Sequence, residues 1–174
     1  DNLFVDQTAT FGGAIVVTNH QGKTVKLANI YNNTIYSTYR GVYFASAATA
    51  DQVIGNLIFS ATPFGGTIAN QSNNLTATVA AAGTYVTSPG ITLGSMNFYP
   101  LAGQCTGAAL NLAPFNTDSH YNLDFNGTSK GTFTYRGCYA GSGTNPGWQP
   151  GNTLKTGGPG SGPTTPPALA IASP

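Results

Sequence analysis

The sequence predicts an all-β protein assembled from stacked, strand-bearing repeats. Three observations carry this expectation: a recurring segment headed by asparagine, short runs rich in β-branched and aromatic residues, and no stretch with a capped helical period. Runs such as AIVV, GVYF and NLIF are bounded by Gly, Asn and Ser. In KTVKLANIYN the apolar positions are Val25, Leu27 and, after a change of phase near Ala28, Ile30.

The repeat orders the first half of the chain. NLFVDQTATFGGAI (2–15) aligns with NLIFSATPFGGTI (56–68) through one deletion. NTIYSTYRGVYF (33–44) is a third version, and a weaker fourth begins at Asn74 in SNNLTATVAAAG. In this alignment Asn2, Asn33, Asn56 and Asn74 are equivalent, and Gly41 takes the place of Gly13 and Gly66. The segments that enter each asparagine also recur, as VKLANIYNN, QVIGN and IANQSNN. The asparagines lie 31, 23 and 18 residues apart, which excludes a short repeat of fixed length. Constant strands joined by variable turns fit this spacing. Strands this short bury their faces only by stacking on their neighbours.

Asparagine suits the bends of such a stack. It tolerates left-handed backbone, and its amide can bond to an equivalent amide in the next repeat. The pair Asn32 and Asn33 therefore marks a turn.

Composition narrows the function classes. Charged residues make up only 6% of the chain, against about 25% in an ordinary soluble domain. Solubility then rests on Asn, Thr, Ser, Gln and Gly, the chemistry of a secreted or surface β-protein. The acids are Asp1, Asp6, Asp51, Asp118 and Asp124, with no glutamate, and the six Lys and Arg residues are scattered. A net charge of +1 without a cluster gives no footprint for nucleic acid or an anionic membrane. No apolar run reaches membrane-spanning length, and no signal-peptide pattern opens the chain. Without an initiating Met it reads as a mature or excised piece. Cys105 and Cys138 suit a single disulfide outside the cell. Two buried thiols in a reducing compartment are the alternative.

The repeats resemble those of right-handed parallel β-helix proteins of the pectate-lyase-like superfamily, particularly the bacterial secreted group. That likeness covers about residues 1–80. A second stretch, about 96–148, is similar to the closing region of those proteins through MNFYPLAGQ (96–104), LDFNGT (123–128) and TYRGCYAGSGTNPGW (134–148). Cys138 stands there where an alanine-like residue is usual, which supports the pairing with Cys105. The resemblance implies β-helix repeats over 1–95, a closing β region over 96–148 and a Pro/Gly-rich tail over 149–174. GGPGSGPTTPP (157–167) reads as a linker, and PALAIASP resembles the opening strand of a bacterial immunoglobulin-like module. The N-terminal repeat carries no cap, so removed repeats or another chain are expected to cover it.

The superfamily hosts lyases, hydrolases, adhesins and inert scaffolds, so activity is judged from side chains. A lyase needs an acidic cluster for calcium and a basic residue to take the sugar proton; a hydrolase needs facing carboxylates. The repeat region offers only Asp1, Asp6 and Asp51, and the positions equivalent to Asp6 are Ser37 and Ser60. No catalytic residue is assigned. Asp118, His120 and Asp124 are the nearest approach to a metal set, and the competing reading is that they bond backbone in a Gly/Asn-rich turn. No cofactor is expected, and calcium enters only if this chain is the end of a carbohydrate-active enzyme. Tyr31, Tyr36, Tyr39 and Tyr43 are the candidate contacts for a glycan or partner chain, against the alternative that they fill the stack. The expected function is a non-catalytic extracellular module, bacterial by resemblance, for glycan contact or self-assembly through the N-terminal repeat.

Overall fold

The computed structural model describes residues 1–6, 12–153 and 155. The Pro/Gly linker and the PALAIASP segment lie outside the described residues, as do 7–11 of the first repeat. The fold is all-β, with two parallel sheets in its first half. Strands β1 (Leu3–Asp6), β2 (Ile15–Val17), β4 (Thr34–Phe44), β6 (Leu57–Gly66) and β8 (Leu75–Ala77) form one sheet; β3 (Asn29–Tyr31), β5 (Gln52–Ile54) and β7 (Asn70–Ser72) form another. In the larger sheet β1 and β2 both pair with β4, which pairs with β6, which pairs with β8. Only two 3-10 helices occur among the described residues, Val79–Thr84 and Ala113–Phe115.

Register places the asparagines in line. Leu3 lies opposite Thr34, Thr34 opposite Leu57, and Leu57 opposite Leu75, each one residue after its asparagine. The turn before each of the last three is made by a residue in left-handed backbone: Asn32 at φ 52°, Gly55 at φ 69° and Asn73 at φ 54°. Only Gly, and less readily Asn, adopts this conformation at low cost. The first member of each Asn-Asn pair therefore makes the bend, and the second makes the contact between repeats.

The glycine alignment differs from the register. Gly66 pairs with Phe44, and Tyr43 pairs with Gly65. Gly41 falls between the Arg40–Thr62 and Val42–Phe64 pairs, short of Gly66, and the strand also carries a bulge: the pairs run from Ser37–Ser60 to Arg40–Thr62, so Thr38 and Tyr39 oppose Ala61 alone. The extra residue displaces everything after it by one position and re-aims the side chains. Gly41 still needs to be glycine, because a Cβ there would meet Ile58 Cγ2 at 2.6 Å and the Pro63 carbonyl oxygen at 2.7 Å. Gly13 sits against the Gly41 and Arg40 carbonyls. The Val25–Leu27 stretch departs further from expectation: β3 begins only at Asn29, and Leu27 is 53% exposed.

Strand alternation sends side chains into two clusters. Ile35, Ile58, Val42, Phe44, Ile30 and Val53 form the core between the parallel sheets. Leu57 and Phe59 point the other way, with Leu3, Val5, Tyr36, Leu75 and Ala77 beside them. This second face is covered by the C-terminal half, through Val86, Met96, Phe98, Tyr99 and Tyr139. Among the described residues the cover contains one regular strand pair, β9 (Val86–Ser88) with β10 (Asn97–Pro100), which is antiparallel. A third cluster, Leu112, Phe115 and Phe133, carries the cover around to Tyr31 and Ile54 of the smaller sheet. Burying an apolar side chain of this size contributes about 1.5–3 kcal/mol.

Candidate functional site

Each predicted residue has a definite place, and few of them meet. Asn2, Asn33, Asn56 and Asn74 form one hydrogen-bonded line. The backbone N–H and Nδ2 of Asn2 donate to Asn33 Oδ1 at 3.0 and 3.2 Å. Asn33 does the same to Asn56 Oδ1 at 2.9 and 3.0 Å, and Asn56 to Asn74 Oδ1 at 2.9 and 2.9 Å. Asn56 Nδ2 also donates to the Ile30 carbonyl, which ties the line to the smaller sheet. These amides hold the stack and leave little for a ligand.

The four tyrosines divide. Tyr31 stacks on Phe115, with ring centroids 4.4 Å apart and planes within 7°, and its hydroxyl donates to Asp118 Oδ2 at 2.6 Å. Tyr36 packs edge-on against Phe98 and Phe59. Both therefore bind the cover to the repeats. Tyr39, in the bulge, and Tyr43, beyond it, lie on an outward surface that the described residues of the cover do not reach.

There they flank a residue that the sequence reading did not single out. The Arg40 guanidinium carbon lies 4.4 Å from the centroid of the Tyr43 ring and 4.9 Å from that of Tyr39. Arg40 Nη1 donates to the Gly12 carbonyl at 3.1 Å and Nη2 to the Tyr39 hydroxyl at 3.2 Å. Space for the side chain comes from Gly65, where a Cβ would stand 2.8 Å from Arg40 Cδ and Nε. Cation–π contacts at such a site are worth about 0.5–1 kcal/mol each, enough to hold the guanidinium in place. Gly12, Val16, Thr18 and Ala45 complete a cavity of about 430 Å³ around the three residues. Its sequence signal was the arginine between two tyrosines, but the bulge that brings them together cannot be seen in composition.

Three of the five carboxylates, Asp51, Asp118 and Asp124, accept backbone N–H groups. Asp51 accepts N–H bonds from Ala28 at 2.7 Å and Ala48 at 2.6 Å. Asp124 accepts from Asn126, Thr128 and Ala140. Asp118 takes the Tyr31 hydroxyl and the His120 N–H, and these two bonds, the hydroxyl's first, hold its carboxyl below the ordinary range. His120 Nδ1 meets the Ser119 hydroxyl at 3.0 Å. Among the described residues no group of three or more His, Cys, Asp or Glu side chains is placed to hold a metal ion.

The disulfide expected between Cys105 and Cys138 is not formed: both are free, buried thiols. Each sulfur has another neighbour, Cys105 Sγ the Tyr85 carbonyl at 3.6 Å and Cys138 the Thr34 hydroxyl. Burial raises both, Cys105 to about 12, so neither is a ready nucleophile. Beside Cys138 lies Lys130, whose Nζ donates to the Gly137 and Tyr139 carbonyls at 2.7 and 2.9 Å. Its burial pushes the ammonium down to about 8.

No protein-family model matches the chain, and no match was found among curated proteins or solved structures.

Proposed function

We propose that the chain is a non-catalytic structural and binding module of a secreted or cell-surface protein, a short right-handed parallel β-helix that contacts glycan through Tyr39, Arg40 and Tyr43. The β-helix reading is supported by successive repeats that pair in parallel and in register in two sheets. The binding reading rests on one observation, the outward cavity in which a fixed guanidinium lies between two tyrosine rings. Aromatic faces stack on the C–H faces of sugar rings, and the guanidinium and phenol hydroxyls bond to sugar hydroxyls.

The test is retention on a panel of neutral and acidic polysaccharides. Tyr39→Ala and Arg40→Ala are expected to weaken binding about tenfold or more, the loss of one well-placed contact, with the far-UV dichroism of the fold unchanged. Binding that survives both substitutions, or no binding to any polysaccharide, removes the reading. Release of unsaturated sugars by this chain would replace it with a lyase.

A further inference from the structure

The line of asparagines has a direction, and one end of it is open. In three successive steps an asparagine donates its backbone N–H and its Nδ2 to the Oδ1 of the next. Asn33 Oδ1 and Asn56 Oδ1 are each filled from the preceding repeat. Asn2 Oδ1 stands in the same position and accepts nothing from the described residues; Asn2 is exposed, whereas Asn33 and Asn56 are 5% and 0% exposed. Among the described residues, strand β1, which follows Asn2, is paired on one edge only, to β4.

Beside that edge the cover leaves a gap. Leu3 and Val5, the residues of β1 that face the cover, line an apolar cavity of about 530 Å³ with Ile91, Leu93, Phe125 and Trp148 opposite. Ile91 and Leu93 are 40% and 56% exposed. In the neighbouring repeats the equivalent space is taken by the first and third residues after the asparagine: Thr34 and Tyr36, Leu57 and Phe59. Free acceptor, free strand edge and apolar gap thus lie one strand-width beyond β1, each matching one part of a repeat.

We infer that this edge binds one further parallel strand with the pattern asparagine, apolar, any residue, apolar, supplied by polypeptide outside the 174 residues. The inference rests on the stacked-repeat reading above and names the partner of its N-terminal edge. The asparagine fills Asn2 Oδ1 with two hydrogen bonds, and the two apolar side chains enter the cavity. Residues 7–11, 154 and 156–174 contain no asparagine, so the pattern does not occur in them. A second copy is a poor source, because its β4 and β6 are paired on both edges, its Leu75 and Ala77 already pack against its own cover, and its Asn2 already donates to its own Asn33.

Trp148 is the only tryptophan and lines the cavity, so its fluorescence reports occupancy. The probe is a synthetic peptide with the sequence of residues 2–13, NLFVDQTATFGG, which contains neither Trp nor Tyr. Added to the full chain, it is expected to shift Trp148 emission to the blue and to saturate. The same peptide carrying Asn2→Ala is expected to bind about tenfold more weakly, as is the parent peptide to a Leu93→Asp chain, whose substitution lies on an exposed side chain. No shift, or equal binding by the parent, Asn2→Ala and scrambled peptides, overturns the inference. Emission that shifts with protein concentration alone also overturns it, since the occupant is then a second copy. If Asn56→Ala leaves stability unchanged, the stacked-repeat reading itself fails; a stable chain that ignores the peptide removes only this inference.

Discussion

The two halves of the molecule solve the same problem by opposite means. In the repeat half, buried backbone is satisfied by parallel pairing, and the bends between strands by one amide used again and again. In the cover, where regular strands are few, single charged side chains each serve several backbone groups. Asp124 accepts three N–H groups, and Lys130 donates to two carbonyls. Arg136 donates to the Phe133, Thr134 and Ala108 carbonyls. A repeat lets a neutral side chain find its copy one strand away. Irregular backbone offers no such copy, and there Asp124, Lys130 and Arg136 take its place.

The comparison breaks most visibly at Asn56. Asn56→Ala deletes the acceptor for two Asn33 donors and three donor contacts of its own, to the Ile30 and Ile54 carbonyls and Asn74 Oδ1, at a fully buried position. Leaving several such groups unpaired is expected to cost about 4 kcal/mol, while Asn2→Ala, at the exposed end, costs under about 1 kcal/mol. Denaturant midpoints of the two variants measure the difference. Equal losses would mean that the line of amides is not a cooperative feature of the stack. Gly41→Ala is next, because its new methyl group meets both Ile58 and the Pro63 carbonyl. Overpacking at such a site costs about 1–3 kcal/mol, read from the same curves.

The cover is expected to respond to alkali through Lys130 and its two cysteines. Lys130 is held at about 8 against its ordinary 10.5, so between these values the unfolded chain binds more protons than the folded one. Stability therefore rises as pH increases from 8, by at most about 1.4 kcal/mol per pH unit. Above pH 9 the raised thiols act the other way: unfolded cysteines ionise while Cys105 and Cys138 stay protonated, and stability falls. Lys130→Met should abolish the rise and, by orphaning the Gly137 and Tyr139 carbonyls, cost about 2 kcal/mol near neutrality. Cys105→Ala should lessen the fall. A wild-type profile that is flat from pH 8 to 9, with Lys130→Met flat as well, would place the ammonium in contact with water.

How far the sequence was legible follows the same division. The asparagine line could be read because each member sits directly before a strand, and parallel register preserves that position through loops of any length. The glycine alignment failed a few residues later, because it needed gaps that the register does not contain: pairing puts Gly41 between Arg40–Thr62 and Val42–Phe64, short of Gly66. Arg40 was missed because the β4 bulge beside it leaves no periodicity to read. In the cover, motifs placed Asp124 and Arg136 within a closing region, but the surface they close over was not readable. Tyr36 looked like a glycan contact until Phe98, sixty-two residues later, was found against it. Contacts of that separation are made by packing, and packing leaves no local pattern.

The smallest expected effect lies where the halves are joined on the smaller sheet. Tyr31 belongs to β3, and Phe115 and Asp118 belong to the cover, so the stacked rings and the 2.6 Å hydrogen bond cross the boundary. Asp118 is held below its ordinary 3.8, the Tyr31 hydroxyl being the first cause. A depressed carboxyl contributes stability above its unfolded pKa and loses it as pH falls through the folded one. Because Asp118 is exposed, solvent screening limits that contribution to about a few tenths of a kcal/mol. Tyr31→Phe keeps the ring stack and removes only the hydroxyl, so it should weaken stability by that small amount at pH 6 and by progressively less as the pH is lowered below 3.8. Urea midpoints at pH 6 and below pH 3.8 separate this from a packing loss, which would be the same at both.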